Sequence, residues 1–204
     1  MDALILSALS SAADRGTEAL RSIQTALSTR RHDAETIDVV AADVRPCRGC
    51  GNCGLHTPGR CTQDDDMQTI LPRVVRTDLL VLASPVRFGG HCYPMKLVIE
   101  RFMPLNGPVF VIRDGEMHHR PRYPRRPALL GVGLLDRDDP ADKGDGDAYR
   151  ALIDRHAVNL ASPAHASVVV SPDDQASVTT RLLVSALETV EPAVAAGTSL
   201  RGRR

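Results

Sequence analysis

The sequence contains no tryptophan, and aromatic side chains make up only 3% of its 204 residues. A core must therefore be filled by leucine, valine, isoleucine and alanine. Three phenylalanines and three tyrosines are too few for a row of base-stacking side chains. Lysine plus arginine and aspartate plus glutamate number 25 each, so the net charge is zero and no overall field attracts polyanions. These deficits argue against a nucleic-acid partner.

Long apolar runs are also missing. No uninterrupted stretch approaches the roughly 20 residues that cross a bilayer, and Met1–Leu6 starts a short apolar strand without the basic start of a signal peptide. We therefore predict no membrane partner and a cytoplasmic location. The sequence also has no Ser/His/Asp triad pattern, no Walker-type loop and no Gly-x-Gly-x-x-Gly. Hydrolase, kinase and Rossmann-type dehydrogenase functions consequently have no support.

What the sequence does contain is an alternation of short apolar runs with helical periodicity, which is typical of βαβ units around a parallel sheet. We predict a doubly wound α/β fold with strand order 2-1-3-4-5. The predicted strands are Ala3–Ala8, Thr36–Ala41, Asp78–Ala83, Ala128–Leu135 and Ala166–Val170. The predicted helices are Gly16–Ser28, Met67–Arg76, Tyr93–Met103, Ala148–Leu160 and Asp174–Val190.

Several segments interrupt this alternation. Residues 45–66 are rich in cysteine and glycine and are predicted to be an irregular loop. Residues 104–127 contain five prolines and five arginines, which predicts an inserted arm, either a long loop or an added hairpin. Residues 136–147 are predicted to be a solvated loop. Residues 192–204 are predicted to be a disordered tail, which leaves one domain over residues 1–191.

The predicted sheet also predicts where a ligand binds. In doubly wound sheets, ligands lie beyond the carboxyl ends of the strands, at the point where the strand order reverses. The loops after Ala8, Ala83 and Leu135 are expected to meet there.

Four cysteines lie within fifteen residues in the pattern C-x2-C-x2-C-x7-C, namely Cys47, Cys50, Cys53 and Cys61. Cytoplasmic thiols stay reduced, so such a cluster favours metal or redox chemistry over disulfides. Three closely spaced thiolates and a more distant fourth can hold an iron–sulfur cubane. A structural zinc site and metal-free thiols are the alternatives. Cys92 lies outside the pattern and is predicted to fill the core.

Three stretches resemble the iron–sulfur flavoprotein family, part of the broader NADPH-dependent FMN reductase-like group. They are Pro46–Cys53 with Gly59–Cys61 and Asp65–Met67, then Ser84–Gly90, then Met95–Arg101. The resemblance covers roughly residues 1 to 135. It implies a flavodoxin-like fold with FMN at the carboxyl edge of the sheet, assembled as a homodimer or homotetramer.

The resemblance also implies the site residues. The ligands of a [4Fe–4S] cluster would be Cys47, Cys50, Cys53 and Cys61. The flavin ring would lie against Pro85, Val86, Arg87, Phe88 and Gly89, and the phosphate would receive hydroxyls from Ser10, Ser11 and Thr17. Arg87 is expected either to stabilise reduced flavin or to point to solvent.

The implied function is an FMN-dependent oxidoreductase that passes electrons between NAD(P)H or ferredoxin, FMN and the cluster. Its donor and acceptor would be small molecules or proteins. The segment Ser7–Thr17 lacks the early glycine and the Pro-Arg pair of the family's phosphate loop. A second hypothesis is therefore a non-catalytic protein that has lost FMN and uses its cysteines as a metal staple or redox sensor. A zinc-stabilised interaction module is the third.

Overall fold

A computed structural model describes residues 1–136, 142–171 and 173–199. The strands are β1 (Asp2–Ser7), β2 (Asp33–Asp38), β3 (Leu79–Arg87), β4 (Gly90–His91), β5 (Asn106–Arg113), β6 (Glu116–Pro121), β7 (Ala128–Leu134) and β8 (His165–Val170). The helices are α1 (Ala13–Thr29), α2 (Asn52–Leu55), α3 (Met67–Arg76), α4 (Tyr93–Glu100), α5 (Asp142–Leu160) and α6 (Ala176–Ser199). Short 3₁₀ helices cover Leu9–Ala12 and Met103–Leu105. None of the helices in the described ranges combines the length and apolar character needed to cross a bilayer.

The central sheet has the order β2-β1-β3-β7-β8, with all four pairings parallel. This confirms the predicted order and the flavodoxin-like arrangement. In the parallel register, Ser7 of β1 lies beside Asp38 and Ala83, and Ala83 lies beside Val132. The carboxyl ends of neighbouring strands therefore reach the same edge of the sheet.

Helices cover both faces of the sheet, which explains why β7 is buried along its whole length and β3 is buried up to its last residue. One face packs against α1 and α6, through side chains such as Ile23 and Leu187. The other packs against α3, α4 and α5, through Met67, Met95 and Tyr149. The second face is the one that carries the inserted arm and the cysteine-rich loop.

Strands β1, β7 and β8 lie within one residue of their predicted bounds, and β2 and β3 differ from theirs by more. Strand β2 lies three residues earlier than the predicted Thr36–Ala41, because its six residues pair one to one with β1 starting at Asp2. Val39 is buried, but it lies in the loop that follows. Strand β3 continues past Ala83 to Arg87, since it gains β7 as a partner up to Pro85 and then pairs with β4.

The inserted arm is a hairpin of β5 and β6. Its turn is Asp114-Gly115, with φ of 52° and 80°, the backbone of a type I′ hairpin turn. The preceding helix α4 ends at Glu100 rather than at Met103, and Pro104 lies in the 3₁₀ helix that follows. Proline cannot donate the backbone hydrogen bond that an α-helix would need there.

The two last helices are longer than predicted. Helix α5 starts at Asp142, so the predicted loop 136–147 is wrong from that residue onward; residues 137–141 lie outside the described ranges. Acidic residues early in α5, including Asp145 and Asp147, suit the positive end of a helix. Helix α6 continues to Ser199, so the disordered tail predicted from residue 192 is wrong for residues 192–199. Val190 and Val194 are buried on both sides of Pro192 and hold that part of the helix on the core. Residues 200–204 lie outside the described ranges.

Candidate functional site

The three loops predicted to meet at the carboxyl edge do lie together. The N–H of Ala8 donates to the carbonyl oxygen of Ala83 at 2.8 Å. Arg15, in the first turn of α1, donates through Nη1 to the carbonyl oxygen of Leu135 at 2.9 Å. These contacts join the loops after β1, β3 and β7 into one surface.

The start of α1 forms one side of this surface. Its N-cap residue, Ala12, has no side chain that can accept from the first N–H groups. These donors and the helix dipole favour an anion at this end. Gly16 allows the preceding 3₁₀ helix to pack on α1, because a Cβ at Gly16 would lie 1.8 Å from the carbonyl oxygen of Leu9.

The three hydroxyls predicted to bind phosphate are exposed but already make hydrogen bonds. Ser10 donates to Oδ1 of Asp38 at 2.9 Å, Ser11 to the carbonyl oxygen of Ala8 at 2.7 Å, and Thr17 to that of Ala13 at 3.4 Å. Each hydroxyl oxygen can still accept a bond, but phosphate binding needs them as donors. They must therefore rotate before they can hold an anion.

Charge at the start of α1 also differs from that of a simple phosphate site. Asp14 lies exposed in the first turn, and Asp38 lies against Ser10. The nearest helix cation, Arg15, is turned away toward the carbonyl oxygens of Leu135 and Ser171. The start of α1 therefore offers backbone N–H donors to an anion, but the carboxylates of Asp14 and Asp38 weaken its attraction for one.

The predicted flavin loop is a tight turn between β3 and β4. Pro85 and Val86 are buried, and Arg87 and Phe88 are exposed. Phe88 has a φ of 51° and Gly89 a φ of 70°, so both residues are in the left-handed region. Glycine adopts that backbone freely, whereas phenylalanine does so at a cost of order 1–3 kcal/mol. The Phe88 side chain is 94% exposed and gains no packing in return.

Arg87 contacts a carboxylate and a backbone carbonyl oxygen near the turn. Its Nη2 lies 3.3 Å from Oδ2 of Asp136, and its Nη1 donates to the carbonyl oxygen of Val86 at 2.9 Å. The side chain is half-exposed, and it links the β3–β4 turn to the loop after β7.

The cysteine-rich loop brings four unpaired thiols into one region. Cys47 and Cys50 are exposed, and Cys53 and Cys61 are half-buried. Burial, followed by the neighbouring thiols of Cys61, Cys47 and Cys50, raises the pKa of Cys53 above its ordinary value. The other three sulfurs are thus close enough to Cys53 to oppose its ionisation, a cost that a bound cation removes.

The thiols do not form a finished metal site. Within the described ranges, no three His, Cys, Asp or Glu side chains are positioned to hold a metal ion. A Cβ added at Gly49 or Gly51 would meet nothing within 4 Å, so this part of the loop is loosely packed. The four thiolate donors suit an iron–sulfur cluster or zinc, and the loop must tighten to supply them together.

Both ends of this loop are held by one buried ion pair. Arg101 and Asp65 are 1% and 0% exposed, and the guanidinium contacts both carboxylate oxygens, at 2.6 and 2.9 Å. Nη1 of Arg101 also donates to the carbonyl oxygen of Arg45 at 2.7 Å. Burial raises the pKa of Asp65, but the hydrogen bonds from Arg101 and from the N–H of Arg45 outweigh it and leave that pKa lowered. The sequence pattern had not singled out either residue for this role.

Arg101 also faces the thiol site. Burial lowers the pKa of its guanidinium, yet the Asp65 carboxylate and then the Cys61 thiol outweigh burial and leave that pKa raised. Its Nε is buried and finds no acceptor among the described residues. A permanent positive charge with one unused N–H therefore lies beside Cys61.

A second arginine fixes the middle of the loop. Arg122, which follows β6, donates to the carbonyl oxygens of Cys53, Pro104 and Asn106 at 3.2, 3.0 and 3.0 Å. The inserted hairpin thus supports the backbone at Cys53.

A pair of buried histidines lies behind the β3–β4 turn. The rings of His91 and His156 stack with centroids 5.3 Å apart and planes 11° apart. Neither ring nitrogen of His91, nor Nε2 of His156, has a partner within the described ranges. Burial lowers the pKa of His91 to about 3 and that of His156 to about 4, so both are neutral near pH 7. Sequence reasoning missed this pair, because nothing local links the two positions.

The ion pair gives a stability prediction. Arg101→Leu should lower the free energy of unfolding by about 3–5 kcal/mol, because it leaves the Asp65 carboxylate buried without its partner. Arg155→Leu is the matched control: Arg155 binds both oxygens of Glu116, but on the surface, and its loss should lower the free energy of unfolding far less, because water screens an exposed ion pair. Urea unfolding of the unchanged protein and of the two variants measures both losses of stability. Equal losses would show that the Arg101–Asp65 pair does not anchor the loop.

The histidine pair gives a pH prediction. The folded pKa values lie below the ordinary 6.5, so the unfolded chain binds protons first as the pH falls. Stability should be full above about pH 6.5 and fall toward pH 4, with each histidine contributing up to about 1.4 kcal/mol per pH unit. The double variant His91→Phe/His156→Phe should flatten this dependence in urea titrations across that range. His165→Phe, which removes an exposed histidine paired with Asp154, should leave it unchanged, and an unchanged slope in the double variant would contradict the assignment.

Comparison with known proteins identifies the family of the chain. The sequence model of the NADPH-dependent FMN reductase family matches residues 1–124. An iron–sulfur flavoprotein of Methanocaldococcus jannaschii is 32% identical over 86 residues, which are 42% of this chain and 44% of that protein. The match therefore spans less than half the length of the curated relative.

Two solved structures share the fold along nearly the whole chain. RosB, with bound 8-demethyl-8-formylriboflavin-5'-phosphate, has a TM-score of 0.66 at 14% identity, over 98% of this chain and 81% of its own. An NAD(P)H:quinone oxidoreductase from Methanothermobacter marburgensis has a TM-score of 0.63 at 16% identity, over 98% of both chains. At such identities the likeness concerns the fold alone. Together with the sequence match over residues 1–124, it leads to one conclusion: the chain belongs to the NADPH-dependent FMN reductase family.

Proposed function

We propose that the protein is an FMN-dependent oxidoreductase that receives electrons from NAD(P)H or a ferredoxin, and that its cysteine-rich loop holds a [4Fe–4S] cluster. The observation that carries the proposal is the strained, exposed Phe88 turn at the carboxyl edge, linked through the loop after β7 to the uncapped start of α1. Family membership supplies the class of cofactor, and the edge of a doubly wound sheet supplies the place.

The residues at this edge have separate roles in the proposal. The N–H groups at the start of α1 and the hydroxyls of Ser10, Ser11 and Thr17 would hold the phosphate. The turn Pro85–Gly89 would face the flavin ring, with Phe88 as its apolar contact. Gly89 lets the turn pack on α5, where a Cβ would lie 2.6 Å from the Cβ of Ala148. Arg87 would bring positive charge to the ring if it exchanges Asp136 for the cofactor. Bound FMN would accept electrons in pairs and release them singly, which suits a one-electron cluster.

The proposed cluster would be bound by Cys47, Cys50, Cys53 and Cys61. The raised pKa of Cys53 supports a site in which added positive charge favours the thiolate of Cys53. Arg101, fixed by Asp65, offers its free Nε–H beside Cys61 and would offset negative charge there. Five unpaired cysteines support a cytoplasmic location, where thiols stay reduced.

A homo-oligomer is also proposed, with the inserted hairpin as the contact. Val109 and Ile112 of β5 are 58% and 70% exposed. An exposed apolar strand is a liability for a monomer, and a second copy of the chain would cover it.

One observation favours the alternative, a non-catalytic metal-stapled or redox-sensing protein. The hydroxyls of Ser10 and Ser11 are already bonded, and the carboxylates of Asp14 and Asp38 lie where phosphate would bind. Such an arrangement suits a scaffold that no longer binds FMN but keeps its thiols.

Anaerobic purification separates the two functions. The proposal predicts flavin absorption together with about four irons and four sulfides per chain, the content of a cubane on four thiolates. Cys47→Ser and Cys61→Ser should each remove most of the iron and retain flavin. Cys92→Ser is the matched control, because Cys92 is buried in the core and outside the loop.

Each result has a distinct meaning. Flavin without iron would support the reductase function and would show that the cysteines are metal-free thiols. Bound zinc in a colourless protein, after excess FMN has been supplied, favours the staple or sensor. Iron that persists in the Cys47 and Cys61 variants would contradict the ligand assignment.

The Phe88 turn predicts a conflict between stability and flavin binding. Phe88→Asn places the preferred Asn-Gly pair in the type I′ turn and should raise the free energy of unfolding by about 1 kcal/mol. The same change removes the apolar contact and should weaken FMN binding roughly tenfold, or by about 1.4 kcal/mol. Urea unfolding of the FMN-free protein and FMN fluorescence titration measure the two effects. Unchanged FMN affinity would show that Phe88 does not contact the flavin.

A further inference from the structure

A groove of about 650 Å³ lies away from the flavin turn, on the face of the sheet that carries α4 and α5. Its walls come from α4, α5, the inserted hairpin and the cysteine-rich loop, and Leu82 of β3 forms part of its floor. Apolar side chains such as Ile99, Phe102, Met103 and Leu160 dominate the lining. None of the flavin-turn residues 85–90 lines the groove. Its volume lies within the range of small-molecule sites, roughly 300–1,000 Å³.

The charged groups around the groove largely neutralise one another. Lys96 bonds to Glu100 at 2.7 Å, and His118 lies 3.1 Å from Glu116. His156 contributes no charge near pH 7, because burial keeps it neutral. The groove therefore has no unpaired cation to attract an anion, and an uncharged ligand suits it.

An unused hydrogen-bonding group lies in this apolar lining. His156 lines the groove, and its Nε2 is buried without a partner within the described ranges. His91, stacked on His156 and 8% exposed, has two more nitrogens in the same condition. A buried polar atom without a partner costs about 1–3 kcal/mol, and such atoms normally have a water or a ligand. A ligand oxygen at Nε2 would remove this cost.

Flat ligands fit the neighbouring rings. Phe110 and His119 lie with ring centroids 4.4 Å apart on the hairpin wall, and Phe102 lines the groove as well. Aromatic side chains pack well on the faces and edges of another ring.

We propose that this groove binds an uncharged, planar aromatic compound with a carbonyl oxygen, which accepts a hydrogen bond from Nε2 of His156. The groove is separate from the proposed FMN site, and its binding does not depend on FMN. It adjoins the proposed cluster site, because Cys47 and Gly49 are among its lining residues. It has a structural link to the flavin turn, since His91, which stacks on His156, pairs with Val86 between β3 and β4.

Acridone is a suitable probe, because it is planar, uncharged and fluorescent and carries one carbonyl group. Its fluorescence anisotropy would be titrated with the full-length protein, both as purified and after removal of flavin. His156→Phe keeps the ring and removes the nitrogens, so the variant should fold. Loss of the hydrogen bond should weaken binding roughly tenfold. Met103→Trp, at a half-exposed wall position, should fill the groove and abolish binding.

A control variant makes the outcome decisive. His165→Phe removes a histidine that does not line the groove and should bind acridone like the unchanged protein. Saturable binding that is lost in Met103→Trp and weakened in His156→Phe, with or without flavin, supports the site. Absence of saturable binding, or binding that both groove variants leave unchanged, overturns it. A protein without flavin or iron that still binds acridone in the groove would overturn the proposed function alone.

Discussion

The buried pair of Arg101 and Asp65 is the constraint on which the second face of the molecule depends. The loop between β2 and α3 has one short helix and few backbone partners of its own. Arg101 joins the two ends of that loop, through the carboxylate of Asp65 and the carbonyl oxygen of Arg45. Removing two charges from water is expensive, and here the bidentate contact and the additional carbonyl offset much of that cost.

From that anchor, the hairpin supports the loop in turn. Arg122, which follows β6, donates a hydrogen bond to the carbonyl oxygen of Cys53, so the middle of the loop is held as well as its ends. Between these two arginines the chain near Gly49 and Gly51 remains loosely packed. Rigid ends and a yielding centre suit a loop whose thiols must close around a bound group.

The fold was predictable where the signal is local. Helix α3 has its predicted bounds, Met67–Arg76, and the alternation of strands and helices gave the sheet order correctly. Strand β2 was misplaced because its bounds depend on pairing with β1, which local composition does not report. The hairpin did carry a local signal, Asp114-Gly115 just after the end of an apolar run, that would have distinguished it from a loop.

The site was predictable in composition but not in geometry. Spacing identified the four cysteines, yet no spacing reveals that Arg101 reaches Asp65 across 36 positions. The stacking of His91 on His156 is likewise a product of packing between β4 and α5. Long-range pairs of this kind follow from the tertiary fold, and single-sequence patterns describe only neighbours along the chain.

Phe88 bears on the choice between a flavoprotein and an inert scaffold. A left-handed backbone and 94% exposure make phenylalanine a poor choice for this turn on grounds of stability alone. Asparagine or glycine would form the same turn at lower free energy. A structural scaffold derives nothing from the aromatic ring, whereas a flat cofactor at the sheet edge would cover it and recover apolar burial. The polar groups at the start of α1 argue the other way, since Asp14 and Asp38 reduce the attraction for phosphate. The β3–β4 turn thus supports ring binding more strongly than the start of α1 supports phosphate binding. The affinity for flavin should therefore depend chiefly on the turn.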